Sequence, residues 1–219
     1  MSRASTITSA ALKAAATGAL VLSLGGCAVL GLLGGGGKKN AAQLYRFGGS
    51  EGVAAAPVAT SATNIQLSNL RMDPAAEGDR ILGVTGTEAA YIANSRWVAP
   101  ARDLFTAAAE RAFDRAGLRL IRRDQPISPD LSLALEVPTF EARYENGAQA
   151  APIVIVEVRA ALVHGRQRDV LGETSYTVRQ PAAENRVSAI VTAFDQATRQ
   201  ALEQTATWGA ATARTAPRR

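Results

Sequence analysis

LSLALEVPTFEARYENGAQAAPIVIVEVRAALVHGRQRDVLGETSYTVR, residues 131–179, reads as strands joined by short turns. Leu131, Leu133, Leu135 and Val137 alternate with Ser132, Ala134 and Glu136, the period of a strand with one buried face. Pro138 has no N–H to give to a ladder, so a bulge or an edge is expected there. The pattern resumes over 140–145, and Asn146-Gly147 favours a turn. Residues 152–164 (PIVIVEVRAALVH) form a strong strand, Gly165-Arg166 turns the chain, and 170–179 pairs back. Neighbours joined this closely are antiparallel.

Outward from this meander lie two helical patterns. Toward the C-terminus, Val187, Ile190, Val191, Phe194, Ala197, Ala201, Leu202 and Trp208 make one apolar stripe over 185–207. Such a stripe must lie on the sheet. Upstream, Leu104, Phe105, Ala108, Ala112, Phe113 and Ala116 share one face of a helix over 100–116. Arg102, Asp103, Glu110, Arg111 and Asp114 take the other. Pro100 suits its first turn and Gly117 its C-terminal cap.

Shorter strands are predicted at 43–47, 64–72, 80–84, 88–92 and 118–121, with a loop over 48–63. Residues 209–219 show no apolar pattern and are expected to be a disordered tail. The fold class read from these elements is α+β, two helices packed on one face of a mostly antiparallel sheet.

The N-terminus reads as an export signal. Arg3 and Lys13 precede a short apolar stretch, AAATGALVLSL, at 14–24. Leu24-Gly25-Gly26-Cys27 follows, which resembles the lipobox of bacterial lipoproteins. A peptidase needs two small residues before its cut, and the Cys27 thiol is the nucleophile that takes a diacylglyceryl group. Cys27 is the only cysteine, so it forms no internal disulfide.

The alternative is an uncleaved membrane anchor over 14–37. Eight glycines in that stretch weigh against it, since each weakens a helix by about 1 kcal/mol relative to Ala. The expected organisation is therefore a signal peptide at 1–26, a lipidated Cys27 with a flexible Gly-rich tether to residue 42, and a domain over 43–208. Ala28, in place of an acidic residue after Cys27, points to the outer membrane.

The formal charge is +5, from 24 Lys and Arg against 19 Asp and Glu. Removal of Arg3 and Lys13 lowers it to +3, too mild and scattered for nucleic-acid binding. With one histidine, His164, expected in a solvent-exposed turn, a Ser–His–Asp centre has no support. No His/Cys cluster exists for zinc, and no cofactor motif is present. Asp103, Glu110 and Asp114 alternate with arginines on a helix, which reads as a solvated face. Binding, not catalysis, is the expected work.

Tyr91, Arg96 and Trp97 (YIANSRW, 91–97) stand ahead of the first helix. Such residues dominate interface hot spots. The competing structural reading is that the two rings fill the end of the core and fix a strand-to-helix turn.

Tyr91, Trp97 and Pro100, followed by Leu104 and Phe105, resemble the "Y…W…P…L" segment of ABC-type transport auxiliary lipoproteins, the PqiC-like lipoproteins that accompany MCE-domain transport systems. The likeness extends over most of 43–208 and includes the lipobox, the Tyr45–Phe47 strand, the meander and the terminal helix. The resemblance implies an envelope lipoprotein, held in the outer membrane and facing the periplasm. It also implies a non-enzymatic dock for an MCE-domain partner in phospholipid transport. A homo-oligomer is compatible with this reading. The Gly-rich tether and Arg46-Phe47 in the first strand depart from the family pattern. Two alternatives of other classes remain: a domain that carries lipid in a deep apolar cavity, and an envelope hydrolase built on carboxylates.

Overall fold

A computed structural model describes residues 41–49, 63–127, 129–164 and 169–216. The expected signal peptide, Leu24, Gly25, Gly26, Cys27, the tether up to residue 40 and the turn at Gly165-Arg166 lie outside the described residues. Among the described residues, eight strands and two helices follow in chain order: β1 (Gln43–Tyr45), β2 (Thr63–Met72), β3 (Arg80–Thr85), β4 (Glu88–Trp97), α1 (Ala101–Arg115), β5 (Leu118–Ile121), β6 (Leu131–Arg143), β7 (Ile153–His164), β8 (Val170–Pro181) and α2 (Val187–Thr215). No helix among the described residues is long and apolar enough to cross a membrane.

The sheet is mixed, which corrects the expectation of a mostly antiparallel one. Pairs β3–β4, β6–β7 and β7–β8 are antiparallel. Pairs β1–β4, β2–β5, β2–β6 and β3–β6 are parallel. The physical reason is connectivity. Short turns produce hairpins that are visible locally, whereas parallel neighbours are joined through long crossovers. Here α1 and long connections bring distant strands side by side.

β6 organises the sheet. One of its edges pairs with β7 along its length, while the other is shared. Ile65 to Met72 of β2 align with Leu131 to Val137, and Gly83 and Val84 of β3 align with Ala142 and Arg143. Pro138 sits at the changeover. The β6–β7 register shifts between Glu136 and Thr139, so Pro138 marks a bulge inside the sheet and not an edge.

β2 carries a second bulge, at Ser68, where the register with β6 shifts between Leu67 and Asn69. The Ser68 hydroxyl donates to the Leu133 carbonyl at 2.9 Å. The extra residue inverts the alternation, so Ile65 and Met72 are both buried although seven positions apart.

The core lies between the helices and the β6–β7–β8 face. Leu133, Leu135, Val137, Val154, Val156, Val158, Leu162 and Val178 meet Phe105, Phe113, Ile190, Phe194 and Leu202 in one cluster. Ala108, Ala109 and Ala112 on α1 and Ala201 on α2 are buried, which lets the helices approach closely. Gly209 belongs to the same contact. A Cβ there would stand 3.3 Å from the Phe113 ring. Helix α2 therefore runs through Thr215, and the disordered tail expected from 209 is corrected: Gly209 and Ala210 are buried in the helix interface.

Candidate functional site

The segment 91–100 is built around an irregular strand. β4 pairs with β3 at Leu82↔Tyr91 and again at Arg80↔Arg96, so residues 92–95 stand opposite Ile81 alone. Asn94 takes φ +53°, a left-handed conformation that Asn tolerates better than most residues. The Ser95 hydroxyl closes the bulge on the Ile92 carbonyl at 2.9 Å. Beyond the bulge β4 aligns in parallel with β1, pairing Gln43 with Ser95, Leu44 with Arg96 and Tyr45 with Trp97.

The bulge sends alternate side chains to opposite faces. Trp97 is 2% exposed. Its ring lies edge-on to Phe47 at 4.8 Å and to Phe194 at 5.4 Å, and Phe140 is 6.4 Å away. The Trp97 amide donates to the Asp79 carbonyl at 2.7 Å. Tyr91 and Arg96 lie outside. Tyr91 donates to the Ala75 carbonyl at 3.1 Å, and the Arg80 guanidinium lies 3.6 Å over its ring. Arg96 pairs with Asp79 at 2.7 Å, with both side chains about half exposed. The structure thus separates the three residues that the sequence grouped: Trp97 packs in the core, while Tyr91 and Arg96 face solvent.

Pro100 ends the segment. No side chain caps α1. Its free amides are met instead by the preceding turn: Ala101 donates to the Gly78 carbonyl at 2.9 Å and Arg102 to Glu77 at 3.2 Å.

The residues after β1 are held between the two helices. Phe47 is buried, and Gly48 takes φ +65°. The Gly48 amide donates to Asp195 Oδ1 at 2.7 Å, and its carbonyl accepts from Arg111. Partial burial, then the neighbouring Arg115, lowers the Arg111 pKa. A cleft of about 670 Å³ opens here, bounded by Arg46, Leu104, Arg111, Val191, Thr192 and Asp195. A second, of about 530 Å³, lies on the open sheet face beside Asn69, Arg71, Glu136, Arg159, Glu173 and Ser175. Charged side chains share the lining of both with apolar ones, among them Leu104 and Val191 in the first and Leu135 and Ala160 in the second.

Residues weighed for chemistry are placed as follows. Glu110 pairs with Arg122 at 2.7 Å, a contact that raises the Arg122 pKa. Asp103 and Asp114 are exposed on α1. His164 closes β7 half-buried, not in open solvent, and its Nδ1 is shielded with no partner among the described residues. No group of three His, Cys, Asp or Glu side chains among the described residues is arranged to hold a metal.

Sequence reading missed the β8 edge. Among the described residues β8 runs twelve residues and pairs only with β7. Its alternation is visible in the sequence, but which strand ends a sheet depends on pairing.

A mixed sheet under two helices, with two clefts at its surface, defines an α+β domain. The chain belongs to the ABC-type transport auxiliary lipoprotein component family, whose model matches residues 45–206. The fold is similar to the crystal structure of a protein from Xanthomonas campestris, at 24% identity over 79% of this chain and 97% of that one, with a TM-score of 0.65. It is also similar to that of an uncharacterized protein, at 15% identity, 76% and 97% coverage and a TM-score of 0.55. No functionally curated protein matches the chain.

Proposed function

We propose that this chain is anchored by lipid on Cys27 to the outer membrane and docks a periplasmic MCE-domain protein of an ABC transport system for phospholipid transport. The observation that carries the docking part is the outer edge of β8, which no strand covers among the described residues. β1 and β8 are the outermost strands of the path β1–β4–β3–β6–β7–β8. Five strand spacings separate them, about 24 Å. Among the described residues β5 also ends a branch of the sheet, but with four residues against the twelve of β8, so β8 offers a partner the longer ladder. Unpaired backbone groups along a strand accept an extended segment by strand addition. Charged side chains, Arg71, Glu136 and Arg159 in one cleft and Arg46, Arg111 and Asp195 in the other, interrupt the apolar lining that a lipid carrier needs.

Mild crosslinking of the full chain in cells tests this. The MCE protein is expected in the crosslinked product, and Tyr176→Pro in β8 is expected to remove it, since proline deletes a ladder donor. Stoichiometric phospholipid in the purified protein, with no MCE protein captured, would favour the carrier. Cys27→Ala is expected to leave an unprocessed precursor; a mature, membrane-retained species from this variant would refute the lipobox reading.

A further inference from the structure

Among the described residues, three of the five large exposed hydrophobic side chains, Leu44, Tyr91 and Val98, lie on the β1–β4 strand pair, where the N-terminal segment joins the domain; Ile127 and Val170 lie elsewhere. Leu44 is 60% exposed and Val98 42%. Leu44 aligns with Arg96, and the Val98 amide donates to the Tyr45 carbonyl at 2.8 Å, so the two belong to one strand pair. Tyr45 and Trp97 turn inward, and by alternation Leu44, Arg96 and Val98 turn outward. Arg96 aligns with Arg80, which lies on the Tyr91 ring. The result is a continuous outer surface of two aliphatic side chains, a tyrosine and two arginines, with Asp79 the acid paired to Arg96.

This chemistry fits the boundary of a bilayer. Leu44 and Val98 offer apolar surface, and Tyr91 is amphipathic. Arginines attract lipid phosphates while their stems lie along apolar surface. The fifteen residues between Cys27 and Gln43 enter the domain at this strand pair. Fully extended, that stretch spans at most about 55 Å.

We propose that the outer face of the β1–β4 pair, carrying Leu44, Val98, Tyr91, Arg80 and Arg96, is a membrane-contact surface. It rests on the phospholipid headgroups of the bilayer that holds the lipid on Cys27. The inference rests on the anchored reading above. Contact at this face turns the outer side of β1 and β4 toward the bilayer and the two helices, on the other side of the sheet, away from it.

Depth-dependent quenching tests the idea on the full lipidated chain, reconstituted in phosphatidylethanolamine–phosphatidylglycerol vesicles. Cys27 is the only native cysteine and its thiol is acylated, so maleimide labels only an introduced thiol. A fluorophore on Leu44→Cys is expected to be quenched severalfold more by lipids spin-labelled near the headgroup than one on Arg199→Cys of α2. The α2 probe is expected to be reached more readily by aqueous iodide. Equal quenching at the two sites would overturn the proposal. So would a Leu44→Cys probe shielded from iodide yet untouched by spin-labelled lipid, which would assign the face to a protein contact. Failure of the anchored reading reads differently: the unsubstituted chain would take up maleimide on Cys27 and wash off the vesicles.

Discussion

The backbone amide of Gly48 donates to Oδ1 of Asp195 at 2.7 Å, tying the residues after the first strand to the last helix. Gly48 is left-handed, at φ +65°, and a Cβ there would stand 2.7 Å from that of Ala108. Asp195 also pairs with Arg199 at 2.8 Å, which holds the acceptor in place.

Gly48→Ala is expected to destabilise the domain by about 1–3 kcal/mol, through backbone strain and the approach to α1. Asp195→Asn keeps an acceptor and is expected to cost less. Urea denaturation of both variants measures this; an unchanged midpoint for Gly48→Ala would show that the segment after β1 is not clasped by the helices.

Phe194 is wholly buried, with its ring 4.8 Å from Phe140 and 5.4 Å from Trp97. Phe194→Ala is expected to cost about 3–5 kcal/mol, because the surrounding rings cannot close the cavity fully. Calorimetry should show a large fall in melting temperature.

Trp97 and Tyr91 are expected to part company on mutation. Trp97→Ala empties the core between β4 and α2 and is expected to lose about 3–5 kcal/mol. Tyr91→Ala removes one exposed hydrogen bond and a surface cation–π contact, and a loss of about 1 kcal/mol or less is expected. Equal losses in paired denaturation curves would contradict the separation of inner and outer faces in β4.

Thr198 is buried on α2, and its hydroxyl has no partner among the described residues. A buried hydroxyl without a hydrogen bond costs about 1–3 kcal/mol. Thr198→Val keeps the shape and the β-branch, so it is expected to raise the melting temperature. A lower value would mean that the hydroxyl is satisfied by bound water.

Several elements were legible because their signals are local. The 3.6-residue spacing of Phe105, Ala108, Ala112 and Phe113 on α1, and of Ile190, Phe194, Ala197 and Ala201 on α2, marks faces that are buried. Alternation over 131–137 and 152–164 marks β6 and β7, and the short turns between neighbours mark their antiparallel pairing. The end of α2 is not legible locally: residues 209–219 show no apolar pattern, yet Gly209, whose missing side chain admits the Phe113 ring, lies in the helix interface.

The sequence by itself determined the kind of each element, the hairpins, the two apolar helix stripes and the residues that resemble the family. Those depend on the order of neighbouring side chains, which sets period, turn chemistry and caps. Only the tertiary structure decided that β2 lies in parallel between β5 and β6, that β3 and β2 share one edge of β6, and that β8 ends the sheet. It alone turned Trp97 inward and Tyr91 outward, through a four-residue bulge opposite Ile81. Those outcomes rest on contacts between residues dozens of positions apart. Their free energy comes from burying many faces at once, which no local period records.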